Sequence, residues 1–149
     1  MNALPAAPTQ GLGSMPDARV PMLGVLRALL LGEAGCGLAL AIFLSLLAGG
    51  QAAFVGGEAA RSAEEGLRFA AGGAFFFAIF AAVASRGARK RRGWAWTLSA
   101  ILQVIAAVTT GIAVLVTEWH PLFLVGFGLA ALVMLVLSTA SVRRALGQD

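Results

Sequence analysis

The chain has 149 residues, of which 59% are hydrophobic and only 12% are charged, and its mean hydropathy is +0.87. Soluble domains carry about 25% charged residues, and a soluble fold of this length leaves too much surface in water to hide so many apolar side chains. The composition therefore excludes an ordinary soluble domain and favours a protein embedded in lipid. The formal charge of +4 does not predict a nucleic-acid partner, because the basic residues stand at the ends of apolar segments.

The residue types needed for common catalytic sites are scarce. Cys36 is the single cysteine and His120 the single histidine, which excludes an intramolecular disulfide and the usual clusters of metal-binding side chains. No phosphate-binding loop, metalloprotease motif or nucleophile elbow occurs in the sequence. We therefore predict a protein that is not an enzyme and that holds no cofactor or metal.

The predicted fold class is all-α, a polytopic bundle of four transmembrane helices. Residues 1–21 contain several prolines among small residues and show no apolar period, which predicts a disordered cytoplasmic tail. Each apolar stretch after the tail is long enough to cross about 30 Å of hydrocarbon as a helix. The predicted spans are 22–48, 67–85, 94–117 and 122–142 within a transmembrane domain 22–142, followed by a second cytoplasmic tail at 143–149. The first stretch is too long for a signal-peptide core, so we interpret it as a retained span.

The distribution of arginine and lysine predicts the orientation. Nine of the eleven basic residues lie at the N-terminal flank of the first span (Arg19 and Arg27), between the second and third spans, or after the fourth. The other two, Arg61 and Arg68, stand among glutamates near the first connection. Because cytoplasmic segments carry the excess of positive charge, the count predicts that both chain ends lie in the cytoplasm.

Tryptophan residues mark the two ends of the predicted third span. Trp94 and Trp96 stand at its cytoplasmic start, and Trp119 follows its outer end. Tryptophan is enriched at both membrane interfaces, so these three residues are predicted interfacial anchors.

Two polar side chains are predicted to meet inside the membrane. Glu33 lies about 15 Å into the first span and Gln103 lies at a similar depth in the third, at 1.5 Å per residue. Both belong to i, i+4 rows of small residues, which let helices approach closely and turn their polar members toward a neighbour. The rows are Glu33, Gly37, Ala41, Ser45 and Gly49 in the first span, Ala70, Ala74, Ala78 and Ala82 in the second, and Ala95, Ser99, Gln103, Ala107 and Gly111 in the third.

Two interpretations of this polar pair stay open. Glu33 is a structural group that hydrogen-bonds Gln103, or it is an acid that couples a proton or cation to transport. We favour the structural interpretation, because no other polar group clusters at that depth.

The basic residues between the second and third spans have a similar pair of interpretations. They hold the connection in the cytoplasm, and they are also suited to binding anionic lipid head groups. The residues concerned are Arg86, Arg89, Lys90, Arg91 and Arg92.

The layout resembles two groups of membrane proteins. The segments 91–98 (RRGWAWTL) and 141–146 (SVRRAL), with a Glu midway along the first span and a Gln midway along the third, are similar to small four-helix integral membrane proteins of actinobacteria. These are proteins of unknown function, so the resemblance implies a multi-pass location in the bacterial inner membrane and no catalytic activity. For this protein we predict a structural, interaction or accessory role. Its expected partners are the lipid bilayer, a second copy or another membrane protein.

The second group is the small multidrug resistance transporters, which also have four helices and a Glu in the first. That resemblance implies that Glu33 binds the cation and the proton. The chain departs from this family in having no tyrosine and in placing its tryptophans at the ends of helices.

Overall fold

The computed structural model describes residues 21–54, 57–116 and 121–148. Within these ranges the only regular secondary structure is helical, without a strand, and three of the helices are long and apolar enough to cross a membrane. The helices are α1 (Pro21–Phe54), α2 (Glu58–Arg89), α3 (Gly93–Val116), α4 (Pro121–Ser138) and α5 (Ala140–Ala145). The predicted disordered tail before Pro21 and the predicted anchor Trp119 lie outside the described residues.

Helix α2 begins earlier than the apolar pattern predicts. It starts at Glu58 rather than near Leu67, so Arg61 and Arg68 belong to a helix and not to a connection. Arg68 Nη2 lies 2.6 Å from Glu64 Oε1, one helical turn away. Such i, i+4 pairs add a few tenths of a kcal/mol, about 0.2–0.5, to an exposed helix. The polar first turns of α2 therefore extend the helix beyond its apolar span.

Helix α4 ends earlier than predicted. It stops at Ser138, because Thr139 adopts an extended conformation (φ −65°, ψ 136°), and the chain then forms the short helix α5. Val142 and Leu146 of this segment are fully buried. Residues 140–148 are therefore folded against the bundle rather than projecting as a continuation of α4.

The connection between α2 and α3 is a tight reversal at the end of α2. Arg92 N–H donates to the Gly87 carbonyl (3.1 Å) and Arg91 N–H donates to the Ala88 carbonyl (3.1 Å). This is a Schellman motif, with Arg91 in the left-handed position (φ 50°) that glycine usually occupies. Gly87, in the last turn of α2, leaves room for the Trp94 ring at the start of α3, because a Cβ on Gly87 would lie 2.6 Å from that ring.

Neighbouring helices run antiparallel, and small residues set their closest approaches. A Cβ on Gly37 of α1 would lie 3.2 Å from the Ala74 carbonyl oxygen and 3.2 Å from the Ala78 Cβ of α2. Between α3 and α4, Trp96 contacts Leu137 near one end. At Gly37, α1 and α2 are thus packed so closely that the α1 backbone leaves no room for a side chain beside α2.

The buried positions follow the predicted small-residue rows only in part. On α2 the steps between buried alanines are seven, three, three and four residues, through Ala71, Ala78, Ala81, Ala84 and Ala88, whereas Ala70 and Ala82 are exposed. A strict i, i+4 row turns about 40° around the helix at each step, so it leaves the packed face. The prediction of an i, i+4 row on α2 is therefore wrong at both ends.

The rows on α1 and α3 deviate in the same way. On α1, Gly37 and Ala41 are buried, while Ser45 and Gly49 are exposed. On α3, the row is buried only as far as Gln103. The packed faces of both helices therefore match their predicted rows over about two turns.

The hydrophobic core lies at one end of the bundle, here called the α5 end, where the α2–α3 connection and α5 also lie. It joins all five helices, and its central members are Leu26, Leu30, Ala84, Ala88, Ala95, Leu102, Val133, Leu137, Val142 and Leu146. At the opposite end, here called the far end, the buried side chains among the described residues come from α1 and α2 alone, and they are Ala41, Ala48, Ala60 and Ala71. The α1–α2 hairpin is closed along its length, whereas α3 and α4 join it only at the α5 end.

Candidate functional site: a polar pair across the bundle

Glu33 and Gln103 reach the same level of the bundle from different helices. Glu33 is the thirteenth residue of α1 and Gln103 the eleventh of α3, so they lie about 18 Å and about 15 Å from the starts of their helices, at 1.5 Å per residue. Both helices begin at the α5 end. The structure places the two side chains in contact, at the matching depth that the sequence predicts.

The contact is a hydrogen bond that engages both carboxyl oxygens. Gln103 Nε2 donates to Glu33 Oε2 at 2.8 Å and to Oε1 at 3.1 Å. The two residues are only 1% and 5% exposed. The hydrogen bond between the amide and the carboxyl group lowers the free-energy cost of burying both groups among apolar side chains.

The bond crosses the bundle diagonally. Helix α1 packs along α2 and α4, and α3 packs along the same two helices, but α1 and α3 do not pack along each other. The helices on either side present small or apolar buried side chains, including Ala78 and Ala81 of α2 and Ala130 and Val133 of α4. The pair is therefore the principal direct link that the described residues form between α1 and α3.

The pair also marks the level at which the α1–α2 hairpin separates from the second hairpin, formed by α3 and α4. From Val104 to Leu115, α3 buries no residue, and the described side chains of α4 before Ala130 are likewise not buried. On α1, Leu40 and Leu47 continue the face that carries Leu26 and Glu33, yet they are 49% and 41% exposed. The hydrogen bond thus lies at the inner edge of the shared core, where packing between the hairpins ends.

Two buried oxygens on α3 have no hydrogen-bond partner among the described residues. They are Oε1 of Gln103 and Oγ of Ser99, one turn before Gln103, and Ser99 is fully buried. Both atoms accept hydrogen bonds, and the amide oxygen has two acceptor sites. The site therefore holds more acceptor capacity than the Glu33–Gln103 bond uses.

Arg27 is a residue whose local role the sequence does not indicate. It lies six residues before Glu33 on α1, and its Nε is buried without a hydrogen-bond partner in the described part of the chain. From sequence it serves only as an orientation signal. Its burial shows that the arginine stem packs on the bundle, as long cationic side chains do near a membrane boundary.

The predicted anchors at the start of α3 are placed differently from each other. Trp94 is 44% exposed, whereas the Trp96 indole packs against the core and its Nε1 donates to the Leu137 carbonyl of α4 at 3.1 Å. That carbonyl belongs to the last turn of α4, where no intrahelical donor is available. Trp96 is thus a structural link between α3 and α4 as well as a residue at a helix end.

The five predicted lipid-binding residues lie at the α5 end. Arg86 and Arg89 end α2, and Lys90, Arg91 and Arg92 form the reversal into α3, with all five exposed. None of them is near the Glu33–Gln103 pair along the helix, so the structure separates the basic cluster from the polar pair. A comparison of the chain with protein-family models, curated proteins and solved structures finds no match.

Proposed function

We propose that this protein is a structural or interaction component of the bacterial inner membrane, an accessory subunit rather than an enzyme, without a cofactor. The observation that carries the proposal is the position of the Glu33–Gln103 bond at the level where the two hairpins part. The pair joins the two hairpins, and the helix faces beyond it are left uncovered by the described part of the chain. The layout that resembles the small actinobacterial four-helix proteins supports the location in the membrane.

The uncovered faces at the far end suit association within the membrane. A Cβ on Gly111 of α3 would have no neighbouring atom within 4 Å, and the same holds for Gly128 of α4. Large apolar side chains such as Ile112 (55% exposed) stand beside them. Small residues allow helices to approach closely where no water drives them together. The partner we propose is a second copy or another membrane protein, with lipid around both.

Photo-crosslinking tests this association directly. A photoreactive residue at Ile112 is expected to give a crosslinked product of one defined mass in native membranes, because α3 there lacks cover from its own chain. The same residue at Ile101, which is 50% exposed at the closed α5 end, is the matched control and is expected to give mainly lipid adducts. Equal and diffuse products from both positions would contradict the proposal.

The proposed topology has four spans with both chain ends in the cytoplasm. Three helices qualify as spans by length and composition. The 18 residues of α4 extend about 27 Å at 1.5 Å per residue, close to the thickness of the hydrocarbon layer. Helix α4 carries no charged residue, and the predominance of basic residues at the α5 end supports placing that end in the cytoplasm.

Labelling of single cysteines tests the orientation. In a variant with Cys36 replaced by alanine, Ser62→Cys on α2 is expected to react with an impermeant thiol reagent in intact spheroplasts, because it lies near the far end. Lys90→Cys at the α5 end is expected to react only after the membrane is opened. Both positions are exposed on the protein, so accessibility from outside is the sole difference, and the reverse pattern would refute the orientation.

A second function is favoured by the partnerless oxygens beside the pair. Gln103 Oε1 and Ser99 Oγ, together with the Glu33 carboxyl, form a small set of buried oxygen ligands, which is what a proton-coupled cation transporter needs at midplane. The resemblance to the small multidrug resistance transporters favours the same role for Glu33. Glu33→Gln separates the two functions, because it abolishes coupled transport but keeps a side chain that hydrogen-bonds Gln103.

A further inference from the structure

The fold brings together two basic segments that lie about fifty residues apart in the sequence. A Cβ on Gly93, at the start of α3, would lie 3.1 Å from the Leu146 carbonyl oxygen and 3.6 Å from Gln148 Nε2, so the chain end rests against the α2–α3 connection. The basic residues of the two segments are Arg86, Arg89, Lys90, Arg91, Arg92, Arg143 and Arg144. The glutamates of α2 in its first turns, Glu58, Glu64 and Glu65, lie at the far end. Among the described residues, the α5 end is therefore strongly positive.

The chain end is held in a defined conformation. Gln148 N–H donates to the Arg143 carbonyl (2.9 Å) and Gly147 N–H donates to the Arg144 carbonyl (3.1 Å). These two bonds form a Schellman motif, and Gly147 takes its left-handed position (φ 68°). Arg143 Nε returns a bond to the Gln148 carbonyl at 3.3 Å. Gln148 is thus fixed beside Arg143.

These residues line a pocket at the end of the bundle. Its walls are Trp96, Ser138, Arg143 and Gln148, and its volume is about 280 Å³. That is slightly below the range of about 300–1,000 Å³ in which drug-sized ligands bind, so the pocket suits a smaller polar group. The Trp96 N–H and the Ser138 hydroxyl already donate to backbone carbonyls of α4. The Arg143 Nη groups and the Gln148 amide are therefore the donors that a ligand would use.

The location of the pocket indicates what kind of ligand reaches it. Ser138 is the last residue of α4 and Trp96 the fourth of α3, so the pocket stands at the ends of apolar helices, where a bilayer gives way to water. A guanidinium matches two phosphate oxygens at once, and an indole at this depth contacts the glycerol and upper acyl region. A phospholipid would contact both the guanidinium, through its phosphate, and the indole, through its glycerol and acyl chains. Phosphate in solution would contact only the guanidinium.

We propose that this pocket binds the phosphate of an anionic phospholipid head group, with Arg143 as its principal donor. The inference rests on the proposed membrane location and assigns the lipid to a defined site, not to the basic surface as a whole. The surrounding arginines raise the local concentration of anionic lipid. The pocket then selects one molecule by hydrogen bonding.

Quenching of Trp96 fluorescence by brominated lipids tests the proposal. The full chain carrying Trp94→Phe and Trp119→Phe is placed in phosphatidylcholine bilayers containing a minor fraction of brominated phosphatidylglycerol or brominated phosphatidylcholine. Brominated phosphatidylglycerol is expected to quench more than its mole fraction predicts, and brominated phosphatidylcholine is not. Arg143→Gln is expected to weaken the apparent affinity about tenfold, as loss of a charged hydrogen bond does.

The control is Arg144→Gln, which removes the same charge from the next residue. Arg144 is exposed, its Nε donates to the Ala140 carbonyl, and it does not line the pocket, so this variant is expected to keep most of the affinity. Equal losses from both variants, or equal quenching by the two lipids, would overturn the site. Displacement of the lipid by soluble glycerol phosphate would instead assign the pocket to a free phosphate ester and would also overturn the proposal. Quenching by neither lipid would also overturn the site, whereas the membrane location is tested separately by the cysteine labelling, so the two failures are distinguishable.

Discussion

Replacing Gly37 by leucine is expected to destabilise the protein by about 1–3 kcal/mol, the range observed when extra atoms are forced into a packed interior. Gly37 faces α2 so closely that even a Cβ would lie 3.2 Å from the Ala74 carbonyl oxygen and from the Ala78 Cβ. The carbonyl belongs to a helical backbone and yields little, so α1 and α2 must separate to admit a larger side chain. The loss is measured by unfolding with SDS in mixed micelles, followed by circular dichroism.

Gly35→Leu is the matched control for this prediction. Gly35 lies two residues earlier on the same helix, and a Cβ there would have no neighbouring atom within 4 Å. The substitution has the same effect on helix propensity and adds the same apolar volume, but it points to an exposed face. If Gly35→Leu destabilises the protein as much as Gly37→Leu, the close approach of α1 and α2 is not what stabilises the hairpin.

The features that depend on length and depth could be predicted from the sequence. Apolar stretches of about 20 residues or more predict helices because lipid leaves the backbone no other partner. Counting residues from the helix starts predicts the same depth for Glu33 and Gln103, and the structure joins them by a hydrogen bond. These inferences need only the rise per residue of a helix.

The features that depend on how elements pack could not be predicted in the same way. The polar start of α2 is stabilised as a helix by local pairs such as Glu64–Arg68. Such pairs cannot be detected from the spacing of apolar residues, which is the basis of the prediction. The folding back of α5 depends on the burial of Val142 and Leu146, contacts that form only once the helices have assembled. The pocket beside Arg143 combines Trp96 of α3 with residues of the distant segment 138–148, and no local signal marks it.

The functional roles of Glu33, Gln103 and the basic cluster stay predictions. A hydrogen bond between buried side chains is compatible with a structural link and with a step in transport. The geometry favours the link, because the bond engages both carboxyl oxygens and lies where interhelical packing ends. The two interpretations differ in what the pair contributes to stability.

Removing both members of the pair is expected to destabilise the protein by less than the sum of the two single removals. Gln103→Leu leaves the Glu33 carboxyl in apolar surroundings, and Glu33→Leu leaves the Gln103 amide there. Each buried polar group without a partner costs about 1–3 kcal/mol. The double variant Glu33→Leu/Gln103→Leu leaves neither group, so its loss is expected to be smaller than the sum of the single losses. Glu33→Gln, which retains a hydrogen-bonding amide, is expected to be the mildest change at this position.

The measurement that tests the central claim most directly is the coupling free energy of this double-mutant cycle, from SDS unfolding of the four proteins in one lipid–detergent mixture. If Glu33 and Gln103 form the structural link between α1 and α3, the coupling is expected to be about 0.6–2 kcal/mol, as for interhelical hydrogen bonds in other membrane proteins. The control cycle pairs Glu33→Leu with Thr109→Leu, whose hydroxyl bonds its own helix, and is expected to be additive. Coupling indistinguishable from this control would contradict the claim that the pair holds the two hairpins together.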